Sequence, residues 1–208
     1  MMQILSHRGF WKTKEEQNTA IAFRRSFENG FGVETDIRDC GRELVISHDM
    51  PDGSQIKLDE FFEIYNSYQS KTCLALNIKS DGLQKKLFDA INKFHIKNYF
   101  VFDMSVPDSI GYLNQGFSCF TRQSEYENLP LYEKSQGVWM DCFESDWIKK
   151  DDVMKHLNNQ KKVCIVSSEL HKRDHSLAWQ KYIEYGFADN QHFMICTDYP
   201  DKFQLLLK

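Results

Sequence analysis

The sequence predicts an α/β fold, a compact closed (β/α)8 TIM barrel. Three observations carry that prediction. Short apolar runs alternate with longer segments of helical period, the alternation recurs about eight times, and polar residues gather where the apolar runs end. Such alternation means a parallel sheet covered by helices, and eight units mean closure. The 208 residues are few beside the roughly 250 usual for this barrel. An open doubly wound sheet is the competing architecture.

The elements follow in order. "QILSH" is a strand, and "NTAIAFRRSFENG" is a helix that Asn18 or Thr19 would cap and Gly30 would end. Ala20, Phe23 and Phe27 share one helical face. "FGVETDIRD" and "ELVISHD" are strands joined by a tight turn between Asp39 and Glu43, so residues 33 to 48 form a β-hairpin extension of the second strand. "LDEFFEIYNSY" is helical, "CLALNIK" a strand and "GLQKKLFDAINKF" an amphipathic helix. "NYFVFD" is a strand and "VPDSIGYLNQ" a short helix. "FSCFTR" and "GVWMDCF" are strands separated by an irregular stretch. "KKDDVMKHLNNQ", "SLAWQKYIEYG" and "PDKFQLLLK" are helices, the last with Pro200 in its first turn, and "KVCIVSSEL" and "HFMICTD" are the strands between them. No repeat, low-complexity tract or Pro-rich linker interrupts the rhythm, so residues 1–208 read as one domain.

Hydrophobic residues at 41% and charged residues at 27% are ordinary for a globular chain. A formal net charge of -4 argues against a nucleic-acid partner, which needs a basic face, but leaves room for a small anionic substrate. Six cysteines without a Cys-x-x-Cys pair, most of them inside apolar runs, read as buried reduced thiols. With no signal-like segment and no apolar stretch near the roughly 18 residues that span a bilayer, the expectation is a cytoplasmic protein without an integral membrane segment. Oligomeric state is open.

In a barrel, function collects at the C-terminal ends of the strands. His7 and Arg8 end the first strand. Glu34 and Asp36, two residues apart, share one face of the second, while Val33, Thr35 and Ile37 take the other. His48 and Asp49 end the hairpin, and Asn77 and Lys79 end the third parallel strand. Asp103, Arg122, Asp141, Glu169 with His171, and Asp198 follow later strands. Each alone is an ordinary polar strand end. Two carboxylates on one face of a buried strand, however, repel each other and call for a cation, a shared proton or solvent. A divalent metal answers that most simply, and oxygen ligands select Mg²⁺, Ca²⁺ or Mn²⁺. Two histidines supply an acid and a base, Arg8 and Lys79 hold anionic oxygens, and Gly9 lets a backbone approach a ligand. Together these describe phosphodiester chemistry.

The linked elements "SHRG", "NTAIAF" and "GFGVETDIRDCGRELVISHD" resemble the glycerophosphodiester phosphodiesterase family, within the phospholipase-C-like barrels. His-Arg-Gly, an Asn-Thr helix start, Glu-x-Asp and a His-Asp pair occur in family order. Beyond residue 80 the clearest further piece is "CTDYP", similar to the family's last-strand Thr-Asp-x-Pro. The resemblance implies a TIM barrel that hydrolyses a phosphodiester with a divalent cation. The substrate it implies is of glycerophosphodiester type, giving an alcohol and glycerol phosphate. It implies His7 and His48 as catalytic residues, Arg8 and Lys79 as phosphate-binding residues, and Glu34 and Asp36 as metal ligands.

Two departures stand out. The family's third metal ligand is the glutamate of a Glu-x-Lys, and here "LNIK" puts Asn77 in that place; either its amide oxygen serves, with weaker binding, or another carboxylate such as Asp141 reaches in. The segment after His48 is too brief for the small cap the family often inserts there. Specificity then falls to later strand ends, with Trp11, Arg122, Tyr126, Trp139, Asp141, Glu169 and His171 as pocket candidates. Two other readings stay open. One is an anion-binding barrel with little or no turnover, kept alive by Asn77. The other is an enzyme of the same fold that stops at a cyclic phosphate.

Overall fold

Parallel strands whose inner side chains are bulky must curl around them, and here the sheet does so almost completely. The computed structural model describes residues 1–69 and 72–208. Among these, nine strands make one sheet. Eight are parallel: β1 (Gln3–His7), β2 (Gly32–Cys40), β4 (Leu74–Ile78), β5 (Tyr99–Phe102), β6 (Phe120–Gln123), β7 (Gly137–Met140), β8 (Lys162–Val166) and β9 (Phe193–Thr197). The spatial order is β5-β4-β2-β1-β9-β8-β7-β6. The two ends meet through a parallel bridge between Val101 and Cys119, where the Val101 N–H donates to the Ser118 carbonyl at 2.8 Å. That closes a (β/α)8 barrel and excludes the open sheet. The ninth strand, β3 (Glu43–Ile46), runs antiparallel to β2 as the expected hairpin extension.

Helices α1 (Ala20–Glu28), α2 (Leu58–Ser67), α3 (Gln84–Lys93), α4 (Val106–Asn114), α5 (Lys150–Asn158), α6 (Ser176–Glu184) and α7 (Pro200–Leu206) cover the outside. Between β6 and β7 the described residues carry only a 3₁₀ turn (Tyr132–Lys134), which is the irregular stretch the sequence marked. His156 of α5 bolts this helix-less unit down. Its Nε2 donates to Gln123 Oε1 at 2.7 Å, and its Nδ1 accepts from the Tyr132 hydroxyl at 3.0 Å. Burial holds its pKa down at about 4, so the ring is neutral and suited to one donated and one accepted bond.

Strand alternation divides the apolar residues. Outward side chains such as Val33, Ile37, Leu74 and Leu76 pack under α1 to α4, and Val163, Ile165, Phe193 and Ile195 pack under α5 to α7. Inward ones fill the lumen. Phe100 stacks on Phe120 at 3.7 Å between centroids, and Phe102 on Trp139 at 4.0 Å. The lumen is tight enough that Gly32 has no room for a side chain: a Cβ there would lie 2.4 Å from Leu5 and 2.5 Å from the Cys73 carbonyl. Aromatic filling below leaves only the upper end of the lumen open to polar residues.

Candidate active site

Parallel pairing sets the level of each polar side chain at that end. His7 pairs with Glu34, and Asp36 with Asn77, so the period-two residues of β2 point into the lumen beside the ends of β1 and β4. Glu34, Asp36 and Asn77 are buried. The His7 Nδ1 lies 2.7 Å from Asp198 Oδ1, at the end of β9, and its Nε2 lies 3.9 Å from Glu34 Oε2. Burial pulls the imidazole pKa down, but the hydrogen bond to Asp198 and the charge of Glu34 outweigh it, so on balance it is raised. The Glu34 carboxyl is raised by burial and then by neighbouring Asp36.

Asp36 does not depend on a metal for its counter-charge. It lies 3.2 Å from Arg8 Nε and 3.7 Å from Lys79 Nζ, and accepts from Asn18 Nδ2 at 2.9 Å. The cation that the Glu34–Asp36 pair calls for is thus supplied in part by side chains: two of them already answer one carboxylate. Lys79 also pairs with Asp103 at 3.0 Å, Asp103 with Arg122, and Arg122 with Glu127 at 3.5 Å. Charges thus alternate from Arg8 around to β6.

The other side of the mouth is built differently. Asp141, at the end of β7, is 4% exposed and bonds His171 Nε2 at 2.5 Å. Glu169, on the same 3₁₀ turn as His171 (Ser168–His171), accepts from the Ser167 hydroxyl, from Thr197 Oγ1 at 2.5 Å and from the Asp198 N–H at 3.1 Å. It thereby steadies the residue that steadies His7. His48 lies at the hairpin end, its side chain 44% exposed, with Nδ1 2.9 Å from Asp49. It lines an open cleft of about 730 Å³ with Arg8, Gln17, Asn18 and Gln55.

Several expectations change. Trp139 is 4% exposed and stacked on Phe102, so it is lumen filling rather than pocket wall. Asp141, at the end of β7 across the ring from β2, is bonded to His171 and does not reach in as a substitute metal ligand. Tyr126 is 69% exposed on the outer rim, its hydroxyl on Glu144. Trp11 donates its indole N–H to the His7 carbonyl at 3.1 Å and so braces the end of β1. Gly9 serves packing: at φ 84° a Cβ would come 2.8 Å from that of Ala22 on α1. Neither Asn18 nor Thr19 caps α1 with its side chain. Asn18, at φ 58°, instead bridges Asp36 and Thr35, accepting from Thr35 Oγ1 at 2.8 Å. Its signal in the sequence was the Asn-Thr element, read there as a helix start. Asp198 and Asp103 were visible only as strand-end carboxylates.

A hard divalent cation fits this donor set in part. Asn77 Nδ2 donates to Glu34 Oε1 at 3.2 Å, while its Oδ1 is buried without a partner. An orphaned oxygen beside two carboxylates, one of them raised by the other, is what an oxygen-seeking ion relieves. Among the described residues no three His, Cys, Asp or Glu side chains converge as a metal cluster, so the set holds two carboxylates and an amide. Among the described residues no helix is long and apolar enough to cross a membrane.

No family model matches the sequence, and no curated protein matches it. Solved structures do match the fold. A protein from Galdieria sulphuraria assigned as a glycerophosphodiester phosphodiesterase superposes with a TM-score of 0.79 at 20% identity, covering 100% of this chain and 98% of that one. The glycerophosphodiester phosphodiesterase from Agrobacterium tumefaciens gives 0.73 at 14% identity, covering 99% and 100%. An Oleispira antarctica phosphodiesterase in complex with the product sn-glycerol-3-phosphate gives 0.68 at 16%, covering 98% and 95%. The likeness spans the whole chain and establishes the barrel.

Proposed function

We propose that the chain is a phosphoric diester hydrolase of the glycerophosphodiester phosphodiesterase type, assisted by a divalent cation and releasing an alcohol and glycerol phosphate. The observation that carries this reading is His7, held at Nδ1 by Asp198 with Nε2 toward Glu34, beside Arg8 and Lys79. Full-length likeness to structures described as phosphodiesterases, one of them with sn-glycerol-3-phosphate bound, supports the same substrate class.

The chemistry follows from the donors. Asp198 fixes the His7 tautomer with the proton on Nδ1, which leaves Nε2 to accept a proton from the nucleophile, either water or the hydroxyl next to the ester. Arg8 and Lys79 keep N–H groups beyond those that face Asp36, and with these they hold the phosphoryl oxygens. His48, on the exposed hairpin end, is the second imidazole on this side of the mouth and passes protons to solvent. Glu34, Asp36 and the orphaned Asn77 oxygen would hold Mg²⁺ or Ca²⁺, with Mn²⁺ as a substitute. When bound, such an ion polarises the phosphoryl group and stabilises its developing charge. Asn77 brings no charge, so the ion binds more weakly than at three carboxylates. The same residue favours a second reading, an anion-binding barrel without turnover.

Purified protein with bis(p-nitrophenyl) phosphate and Mg²⁺, Ca²⁺ or Mn²⁺ separates the two. The hydrolase releases nitrophenolate and stops on adding EDTA. Phosphate and metal binding without turnover of any diester would establish the second reading.

A further inference from the structure

The two carboxylate oxygens of Asp36 have different surroundings. Oδ2 is taken: the Asn18 amide donates to it at 2.9 Å, and Arg8 Nε stands 3.2 Å away. Among the described residues no hydrogen bond reaches Oδ1, and Lys79 Nζ stops 3.7 Å short of it, beyond hydrogen-bond reach. The same ammonium is held at 3.0 Å by Asp103 Oδ2. Resting on the cation site proposed above, we infer that Asp103 is a positioning residue: it draws Lys79 off Asp36 Oδ1 and keeps that oxygen open for the divalent ion.

Asp103 does not reach Lys79 by strand alternation. Along β5, Phe100 and Phe102 point into the lumen, where they stack on Phe120 and Trp139, and Val101 packs outside. Strict alternation would send residue 103 outside as well. Its backbone instead enters the left-handed region, at φ 73°, which residues other than glycine seldom adopt. In that turn the carboxylate meets Lys79, two residues past Asn77 at the end of β4. The other carboxylate oxygen, Oδ1, accepts from the Arg122 guanidinium. Arg122 shares the inward face of β6 with Phe120. Its guanidinium is held in turn by Glu127 at 3.5 Å and lies 5.7 Å from the centre of the Phe143 ring. Arg122 thus fixes one oxygen of Asp103, and the other is presented to Lys79.

Neutralising Lys79 does not require Asp103, because Asp36 is near enough to do that alone. What the second carboxylate adds is direction. Among the described residues Lys79 has one other carboxylate in reach, Asp36. Without Asp103 the ammonium closes the remaining gap and donates to Oδ1, as charge-assisted hydrogen bonds favour. That oxygen would then spend on an ammonium the lone pair an ion needs, beside Glu34 and the orphaned Asn77 Oδ1.

The test titrates the full chain with Ca²⁺ or Mg²⁺ alone, by calorimetry and with no diester present. Asp103→Asn keeps the shape of the side chain, and asparagine tolerates the left-handed backbone. It should weaken cation binding about five- to tenfold, because Lys79 closes on Asp36. Lys79→Met removes the competing ammonium and should tighten binding. In that background Asp103→Asn should change the affinity by less than about twofold, since no ammonium is left to hold. Binding by the double variant also reports that it folds. A loss of the same size in both backgrounds would mean that Asp103 acts through its charge alone, and would overturn the positioning role. So would an unchanged affinity in Asp103→Asn. Either result spares the hydrolase reading and its cation site. A wild-type chain that binds neither ion overturns the cation site and the positioning role together.

Discussion

The two sides of the barrel mouth reach rigidity by different means. On the side of β9, β1, β2 and β4, the polar groups sit on strands or within two residues of their ends, and opposite charges clamp them. Arg8, Asp36 and Lys79 form one such clamp, and His7 with Asp198 another. On the side of β6 to β8 the groups sit largely on loops and a 3₁₀ turn, and hydrogen bonds hold them: Glu125 accepts three backbone N–H groups, and Glu169 accepts two side-chain hydroxyls and the Asp198 N–H. The strand-borne side is suited to gripping a phosphate and a cation. The loop-borne side can vary without disturbing that grip.

Breaking the strand-borne side should cost most. His7→Gln removes the proposed base held by Asp198 and should lower kcat by about 10²–10⁴, measured on bis(p-nitrophenyl) phosphate. Asp36→Asn deletes one of the two charged ligands proposed for the cation. By titration calorimetry its affinity for Ca²⁺ or Mg²⁺ should fall at least about tenfold, since charge count tunes such sites over orders of magnitude. Asn77→Glu sharpens the same point in reverse, with tighter cation binding by about tenfold or more. An unchanged affinity in both variants would remove the ion from Glu34 and Asp36.

Effects on the loop-borne side should be smaller and of another kind. Glu125→Gln weakens the anchor of residues 143–145, and because that carboxylate is exposed the global cost should be at most about 1 kcal/mol by chemical denaturation. The helix-less unit beneath this side should carry an acid sensitivity. His156 titrates near 4 when folded and near 6.5 in a free side chain, so the unfolded chain binds the extra proton first as pH falls. Its contribution to stability is complete above about pH 6.5 and is lost progressively toward about pH 4. His156→Asn should flatten that part of the curve of Tm against pH.

The same contrast decides what could be read from the sequence. Strand polar residues announce themselves by period two, so Glu34, Asp36, Asn77 and Lys79 were placed correctly on one face, and the eightfold alternation gave the barrel. Contacts between distant segments carry no such signal. Asp141 and His171 stand 30 residues apart, and Glu125 meets the backbone of residues 143–145 through loops with no period at all. Asn18 was misjudged because an Asn-Thr before a helix is an ordinary start, and only the fold shows its amide turned to Asp36. Gly9 looked like an approach to ligand and is an approach to Ala22. Trp139 was a pocket candidate because it lies near a later strand end, but the sequence does not say how deep in the lumen its ring lies.

The central claim is that this mouth hydrolyses a glycerophosphodiester with a divalent cation. The most direct measurement is phosphorus NMR of an alkyl diester of sn-glycerol-3-phosphate incubated with the full chain and Mg²⁺ or Ca²⁺. The account predicts conversion of the diester signal to that of glycerol phosphate, abolished by EDTA and reduced at least about 10²-fold in His7→Gln. A persistent cyclic phosphate, or an unchanged diester under every cation, would contradict it.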